Sequence, residues 1–211
     1  PATGGAAFAA PAAGEGGLSQ GGGVSEGGAR SASDGGEAGS GGEPPLPRCD
    51  PIVFEDEDVE YMLRAEVQKP NGALHPADVA GLTYFAVKGV TSIRGVECLT
   101  DLESFSMGEL PFGHVTDIGP LAALKKLQDV DIGLNPVASL EPLGKLPHLQ
   151  QIFASHIPVE LDLAPLANAP ELDLLYLQSD TVKDLAPLGS VPNLRTLNLR
   201  LGHVVHPEGV A

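Results

Sequence analysis

Leu172-Asp173-Leu174-Leu175-Tyr176-Leu177 is the stretch that decides the fold, because its spacing of large apolar residues returns at Leu194-Arg-Thr-Leu197-Asn-Leu199. Working back toward the N-terminus, the same spacing appears at Leu149-Gln-Gln-Ile152-Phe-Ala154, Leu127-Gln-Asp-Val130-Asp-Ile132, Leu102-Glu-Ser-Phe105-Ser-Met107 and Leu82-Thr-Tyr-Phe85-Ala-Val87. The six units start at positions 82, 102, 127, 149, 172 and 194, so the steps are 20, 25, 22, 23 and 22 residues. Within each unit the last two apolar residues stand two positions apart, the period of a strand with one buried face. A segment this short cannot bury that face alone, so the units must stack on one another.

A second signature recurs with the same spacing, as Asp117-Ile-Gly-Pro-Leu121, Ser139-Leu-Glu-Pro-Leu143, Asp162-Leu-Ala-Pro-Leu166 and Asp184-Leu-Ala-Pro-Leu188. Proline drives its predecessor out of the α region and holds its own φ near the helical value, which suits a short extended piece entering a 3₁₀-like turn. A period of about 20–29 residues carrying L-x-x-L-x-L is the signature of a leucine-rich repeat. The fold class read from it is α/β: one curved parallel sheet of about six strands, with short 3₁₀ or turn segments on the convex side.

The rest of the composition sets limits. Residues 1–47 are almost entirely Gly, Ala, Ser, Pro and Glu, with Phe8, Leu18, Val24 and Leu46 as the larger apolar residues. Such a stretch buries too little to offset its ordering entropy and is expected to act as a flexible tether. Residues 48–211 are expected to form one domain. The net charge of -16 argues against nucleic acid and anionic membrane surfaces as partners, since both are bound by clustered Lys and Arg. No apolar run approaches the roughly 18 residues of a spanning helix. The chain starts at Pro1 rather than Met, a start compatible with earlier removal of a signal peptide or lipidation site.

From about Asp50 to Val205, about three quarters of its length, the chain resembles the short-repeat, internalin-like class of bacterial leucine-rich-repeat proteins. The resemblance implies a helical N-terminal cap over 48–80, repeats over 81–205 and a tail at 206–211. The run Phe54-Glu-Asp-Glu-Asp-Val-Glu-Tyr-Met-Leu-Arg-Ala-Glu-Val-Gln68 fits the cap: Val59, Met62, Leu63 and Val67 share one helical face, and the acidic residues sit in the first turn. Lys69-Pro70-Asn71-Gly72 should stop that helix, and Pro76 to Ala80 can form a second short turn. Departures from the pattern are also visible. The turn Asn that follows L-x-x-L-x-L occurs only as Asn135, with Asp180 as a substitute, so no Asn ladder is expected. Extra residues around Gly108 to His114 and near Ser155 to Val159 should bulge, and no closing cap follows Leu199.

Cys49 and Cys98 are the only cysteines, one before the cap helix and one in the turn after the first strand where the cap should pack. A disulfide between them is the favoured reading and two separate buried thiols the alternative; oxidation suits an extracytoplasmic protein, and a reduced pair would favour an intracellular one. Two cysteines without spaced partners supply too few ligands for zinc. His203 and His206 with Glu208 lack a matching helix, His114 and His156 fall in irregular loops, and Glu55 to Asp58 lack the Gly and distant Glu of a calcium loop. No nucleophile motif occurs, so no catalytic residue, metal or cofactor is expected.

What remains is the concave strand face. Its outward residues include Asp129 and Asp131; Gln151 and Phe153; Leu174, Tyr176 and Gln178; and Asn198. Phe153, Leu174 and Tyr176 cluster on adjacent strands of a chain with 4% aromatic residues and no Trp. They are the expected anchors of a protein ligand, bare or glycan-bearing, with the loop carrying Pro111 and Phe112 as a further contact. By resemblance, the chain is expected to be a monomeric recognition module, secreted from a bacterium or held at its surface as a lipoprotein. The alternatives are a structural spacer and an intracellular subunit that targets a separate enzyme.

Overall fold

The structure, a computed structural model, describes residues 49–179, 182 and 184–201. The expected tether over 1–47, the tail at 206–211, Asp180 and the His203, His206 and Glu208 group lie outside the described residues.

Six strands follow one another: β1 (Tyr84–Lys88), β2 (Ser104–Glu109), β3 (Asp129–Asp131), β4 (Gln151–Ser155), β5 (Leu174–Ser179) and β6 (Thr196–Leu201). They form one sheet in the order β1-β2-β3-β4-β5-β6, with every neighbouring pair parallel. Parallel neighbours need a crossover, and here each repeat supplies its own by running down the back of the sheet and returning beside its predecessor. The register is the one that the sequence spacing dictates. Phe85, Phe105, Val130, Ile152, Leu175 and Leu197 lie opposite one another across the sheet, each the fourth residue of its repeat unit. The first five are buried, and with Leu102, Leu127, Leu149 and Leu172 they begin a single continuous core.

The crossovers use the second signature in a way that its proline alone did not reveal. The backbone N–H of Gly119 donates to Asp117 Oδ1 at 2.8 Å, that of Glu141 to Ser139 Oγ at 3.3 Å, that of Ala164 to Asp162 Oδ1 at 2.9 Å and that of Ala186 to Asp184 Oδ1 at 2.8 Å. Ser92 does the same for Arg94 in the first repeat at 3.2 Å. A helical turn leaves its first N–H groups without partners; the Asp or Ser oxygen takes one, and the next residue, proline in four of the five, has none to satisfy. Short helical segments follow at Val96–Cys98, Gly119–Ala123, Ala164–Asn168 and Ala186–Ser190, and as one α-helical turn, α2, at Glu141–Gly144. They point Leu121, Leu143, Leu166 and Leu188 into the core.

The cap helix α1 spans Glu57–Glu66 and buries Val59 and Leu63, with Met62 and Val67 partly buried against the core. Asp56 caps it by accepting from the N–H of Asp58 at 3.0 Å, and its other oxygen takes the N–H and hydroxyl of Thr91, so one carboxylate fastens the cap to the first repeat. A short 3₁₀ turn at Pro76–Asp78 follows, as the sequence implied. Gly95, at φ 103°, is required: a Cβ there would meet the Phe54 ring and the Val53 carbonyl at 2.6 Å. The Cys49–Cys98 disulfide closes the cap onto the same turn, which resolves the alternatives left open by the sequence.

Two departures from regular repetition take definite form. The register breaks between Ala86 and Lys88, where the extra residues of the second repeat begin, and Lys88 pairs with Glu109. Asn135 is fully buried; its Oδ1 accepts from the Val115 N–H at 3.3 Å and its Nδ2 donates to the carbonyls of Met107 at 2.9 Å and Gly133 at 2.7 Å. This single side chain ties the long second loop to the third strand.

Substitution should read out these layers. Leu175→Ala, in the middle of the core, should cost about 2–5 kcal/mol because it leaves a cavity. Leu197 is only partly buried on the edge strand β6, so Leu197→Ala should cost less, and the exposed Thr196→Ala almost nothing; denaturant titrations measure the order. Replacing both cysteines by Ser releases a loop whose ends lie 49 residues apart and should lower stability by about 2–4 kcal/mol, read from the shift in the denaturation midpoint.

Candidate functional site on the outward sheet face

Strand alternation sends one set of side chains into the core and the other out of the sheet, and parallel register then lines the outward set into rungs. One rung is Tyr84, Ser104, Asp129, Gln151, Leu174 and Thr196; the next is Ala86, Ser106, Asp131, Phe153, Tyr176 and Asn198. A third carries Ser155, Gln178 and Arg200. Asp129, Asp131, Gln151, Phe153, Leu174, Tyr176, Gln178 and Asn198 therefore all fall on three consecutive rungs of one face.

Phe153 and Tyr176 pair across β4 and β5 with ring centroids 6.4 Å apart and planes tilted by 33°, within the range of attractive aromatic contacts. Phe153 is 36% exposed, and Leu174 and Tyr176 beside it are half-buried. The Tyr176 hydroxyl donates to Gln178 Oε1 at 3.4 Å, and Gln178 Nε2 lies 3.2 Å from His156 Nε2 in the turn after β4. The aromatic pair thus has a polar border on its third rung, and His156, read from sequence as a plain loop residue, belongs to that border.

Asp129 and Asp131 occupy the middle of the sheet on β3. Burial pushes the carboxyl of each above its ordinary range; for Asp131 the negative charge of Glu109 adds to this, while a hydrogen bond from the Gly133 N–H at 2.9 Å opposes it. Among the described residues neither carboxylate has a salt-bridge partner, whereas Asp78, Asp101 and Glu141 sit against Lys69, Lys126 and Lys145, which hold their pKa values down. Beside Asp131 on β2 the outward residues are small, Ser104 and Ser106, and a Cβ on Gly108 would collide with the Asp131 carboxylate. Tyr84 ends the first rung at 52% exposure. Its place on this face was legible from the register, but its distance from the Phe153 and Tyr176 pair kept it out of the expected anchors.

Leu110 and Phe112 are exposed at 67% and 60%. Their loop is anchored by the Gly113 N–H to Leu134 and the His114 N–H to Val90, and Pro111 lies against Gly89 just past the end of β1. The structure therefore places Pro111 at the β1 end of the face, while Gly113, the residue after Phe112, is bonded to the turn that follows β3. Among the described residues no group of three or more His, Cys, Asp or Glu side chains is arranged to hold a metal, and no helix is long and apolar enough to cross a membrane.

No protein-family model matches the chain, and no curated protein matches it. Solved structures do. Internalin C2 of Listeria monocytogenes superposes with a TM-score of 0.61 at 24% identity, over 72% of this chain and 70% of that one. The internalin InlF of the same organism superposes with a TM-score of 0.53 at 24% identity, over 73% of this chain and 54% of the other. The fold is that of the internalin leucine-rich repeats. In this internalin-like frame, the outward rungs are the surface that stacking leaves free of any packing duty.

The two strand aspartates should therefore weaken the fold that carries them. A carboxyl whose folded pKa is raised above its ordinary 3.8 costs stability as the pH rises through that folded value and costs nothing below the unfolded one. Asp129→Asn and Asp131→Asn, which keep shape and the Gly133 hydrogen bond, should be as stable as the parent or more so at pH 7. That difference should fade as the pH falls to about 3, measured by thermal midpoints across the range.

Proposed function

We propose that this chain is a non-enzymatic recognition module that binds a protein ligand through the outward face of β3 to β6. The observation that carries the reading is the Phe153 and Tyr176 pair with Leu174: three large apolar side chains on a face that contributes nothing to the core. Exposed apolar groups cost solvation, and aromatic anchors inside a polar border are the usual composition of an interface centre. Gln151, Gln178 and Asn198 supply that border. The carboxylates nearby stand on an open strand rather than in a cleft, which speaks for binding rather than chemistry.

The disulfide supports a protein that works outside a bacterial cytoplasm, secreted or held at the cell surface; the same proposal makes it a monomer tethered through residues 1–47. A ligand captured on the immobilised chain and identified should lose about 2 kcal/mol or more of affinity, roughly thirty-fold, on Phe153→Ala or Tyr176→Ala, with the thermal midpoint unchanged. Calorimetric titration makes the comparison; a double Ala variant that binds as tightly as the parent would remove this face from the reading.

A further inference from the structure

The chain contains a single Asp–Pro bond, Asp50-Pro51, and the fold puts an imidazole on its carboxylate. His75 Nδ1 lies 2.5 Å from Asp50 Oδ1, although the two residues stand 25 positions apart. The backbone builds this contact. Ile52 bridges antiparallel to Leu74, its N–H donating to the Leu74 carbonyl at 2.7 Å, so the residues flanking the bridge meet. Burial of Ile52 and Leu74 fixes the bridge, while Asp50 and His75 stay open to water with side chains 72% and 48% exposed. Asp78, which accepts the His75 backbone N–H at 2.8 Å, and Lys69, paired to Asp78 at 2.6 Å, are the charged groups that face the imidazole from the next turn and from the segment after α1.

We propose that this pair is a self-cleavage site, at which the chain cuts its own Asp50–Pro51 bond in mild acid. A carboxylate oxygen of Asp50 attacks the carbonyl carbon of the same residue and closes a five-membered anhydride. The C–N bond breaks, its electron pair goes to the Pro51 nitrogen, and that nitrogen takes a proton and leaves as a secondary amine. One water then opens the anhydride, so the net reaction is hydrolysis of one peptide bond. Proline favours this route because its tertiary amide nitrogen is more easily protonated than a secondary one. Attack within one residue needs no approach step, and a carboxylate nucleophile with an acid beside it divides a hard hydrolysis into two easier steps. Once protonated, His75 is that acid while it pairs with the carboxylate. An ionised carboxyl and a protonated imidazole coexist, for ordinary side chains, between about pH 4 and 6.5. The preceding residue gives the cut its consequence: Cys49 is bonded to Cys98, so residues 1–50 stay joined to residues 51–211 through the disulfide alone until a thiol reduces it.

The test is incubation of the purified 211-residue chain, disulfide intact, across about pH 3 to 8, with intact mass and N-terminal sequencing before and after thiol reduction. The expected product near pH 5 is a chain one water heavier before reduction and two fragments after it, the larger beginning at Pro51, with the rate falling on both sides of that optimum. Asp50→Glu, whose attack needs a six-membered ring, and His75→Gln, which keeps a hydrogen-bonding side chain without the proton, should each slow the cut about ten-fold or more. His75→Gln should also move the optimum to lower pH. Circular dichroism first establishes that both variants are folded. A folded chain that cuts no faster near pH 5 than the same chain unfolded in urea would overturn the site, as would a His75→Gln variant with the parental rate and pH profile. Scission at the parental rate in Asp50→Glu would overturn it too, by marking a contaminating protease.

Discussion

Every other feature of this structure depends on the parallel stacking of one repeat's inward side chains on the next. A single L-x-x-L-x-L strand with its return turn has apolar atoms on two edges and too little chain to cover either, so stability resides in the interfaces between neighbours rather than within a repeat. The lengths of the repeats differ by several residues, yet the inward rung from Phe85 to Leu197 is unbroken. The chain absorbs the variation beyond that rung, in the register break at Lys88 and Glu109, the loop after β2 and the turn after β4. The two ends show the same constraint from opposite sides: at the N-terminal edge α1, Asp56 and the disulfide cover the first repeat, and at β6 Leu194, Leu197 and Leu199 are only partly covered.

Stacking also separates the tasks of the two faces of the sheet. Inward positions are held by volume, and the convex turns by an Asp or Ser that accepts the N–H two residues on as each turn begins. Outward positions are held by neither, so their composition is open to selection for something other than folding. Large aromatic groups beside desolvated carboxylates on β3 to β5 are hard to explain by stability, since both raise the free energy of the uncomplexed chain. The binding role proposed for this face would offset both.

Much of this was legible in the sequence because the repeat period transmits register: once Leu172 to Leu177 is aligned with its five counterparts, the side on which Phe153, Tyr176 and Asp131 lie follows from strand alternation alone. The leucine-rich-repeat fold followed from the same alignment, and the cap helix from the resemblance to the internalin-like class together with the spacing of Val59 and Leu63. The structure was needed where an interaction joins residues that the period does not relate. The Asp56 link to Thr91, the amide of Asn135 reaching back to Met107, and the Lys88 pairing with Glu109 all depend on how irregular segments settle. The pairing of Cys49 with Cys98 needed the distance between their backbones, which spacing along the chain does not supply. Asp117, Ser139, Asp162 and Asp184 are a different case: the residues recur in plain view, but their role emerges only from the geometry of the N–H two positions on.

The claim that most needs testing is that the outward face is dispensable for folding. The measurement is equilibrium denaturation of a triple variant, Phe153→Ser, Leu174→Ser and Tyr176→Ser, beside the parent. The account predicts one cooperative transition of unchanged steepness, with stability within about 2 kcal/mol of the parent, the sum of three modest surface changes. A loss as large as that from emptying the buried Leu175 site, or a broadened transition, would contradict it and would make those residues part of the core.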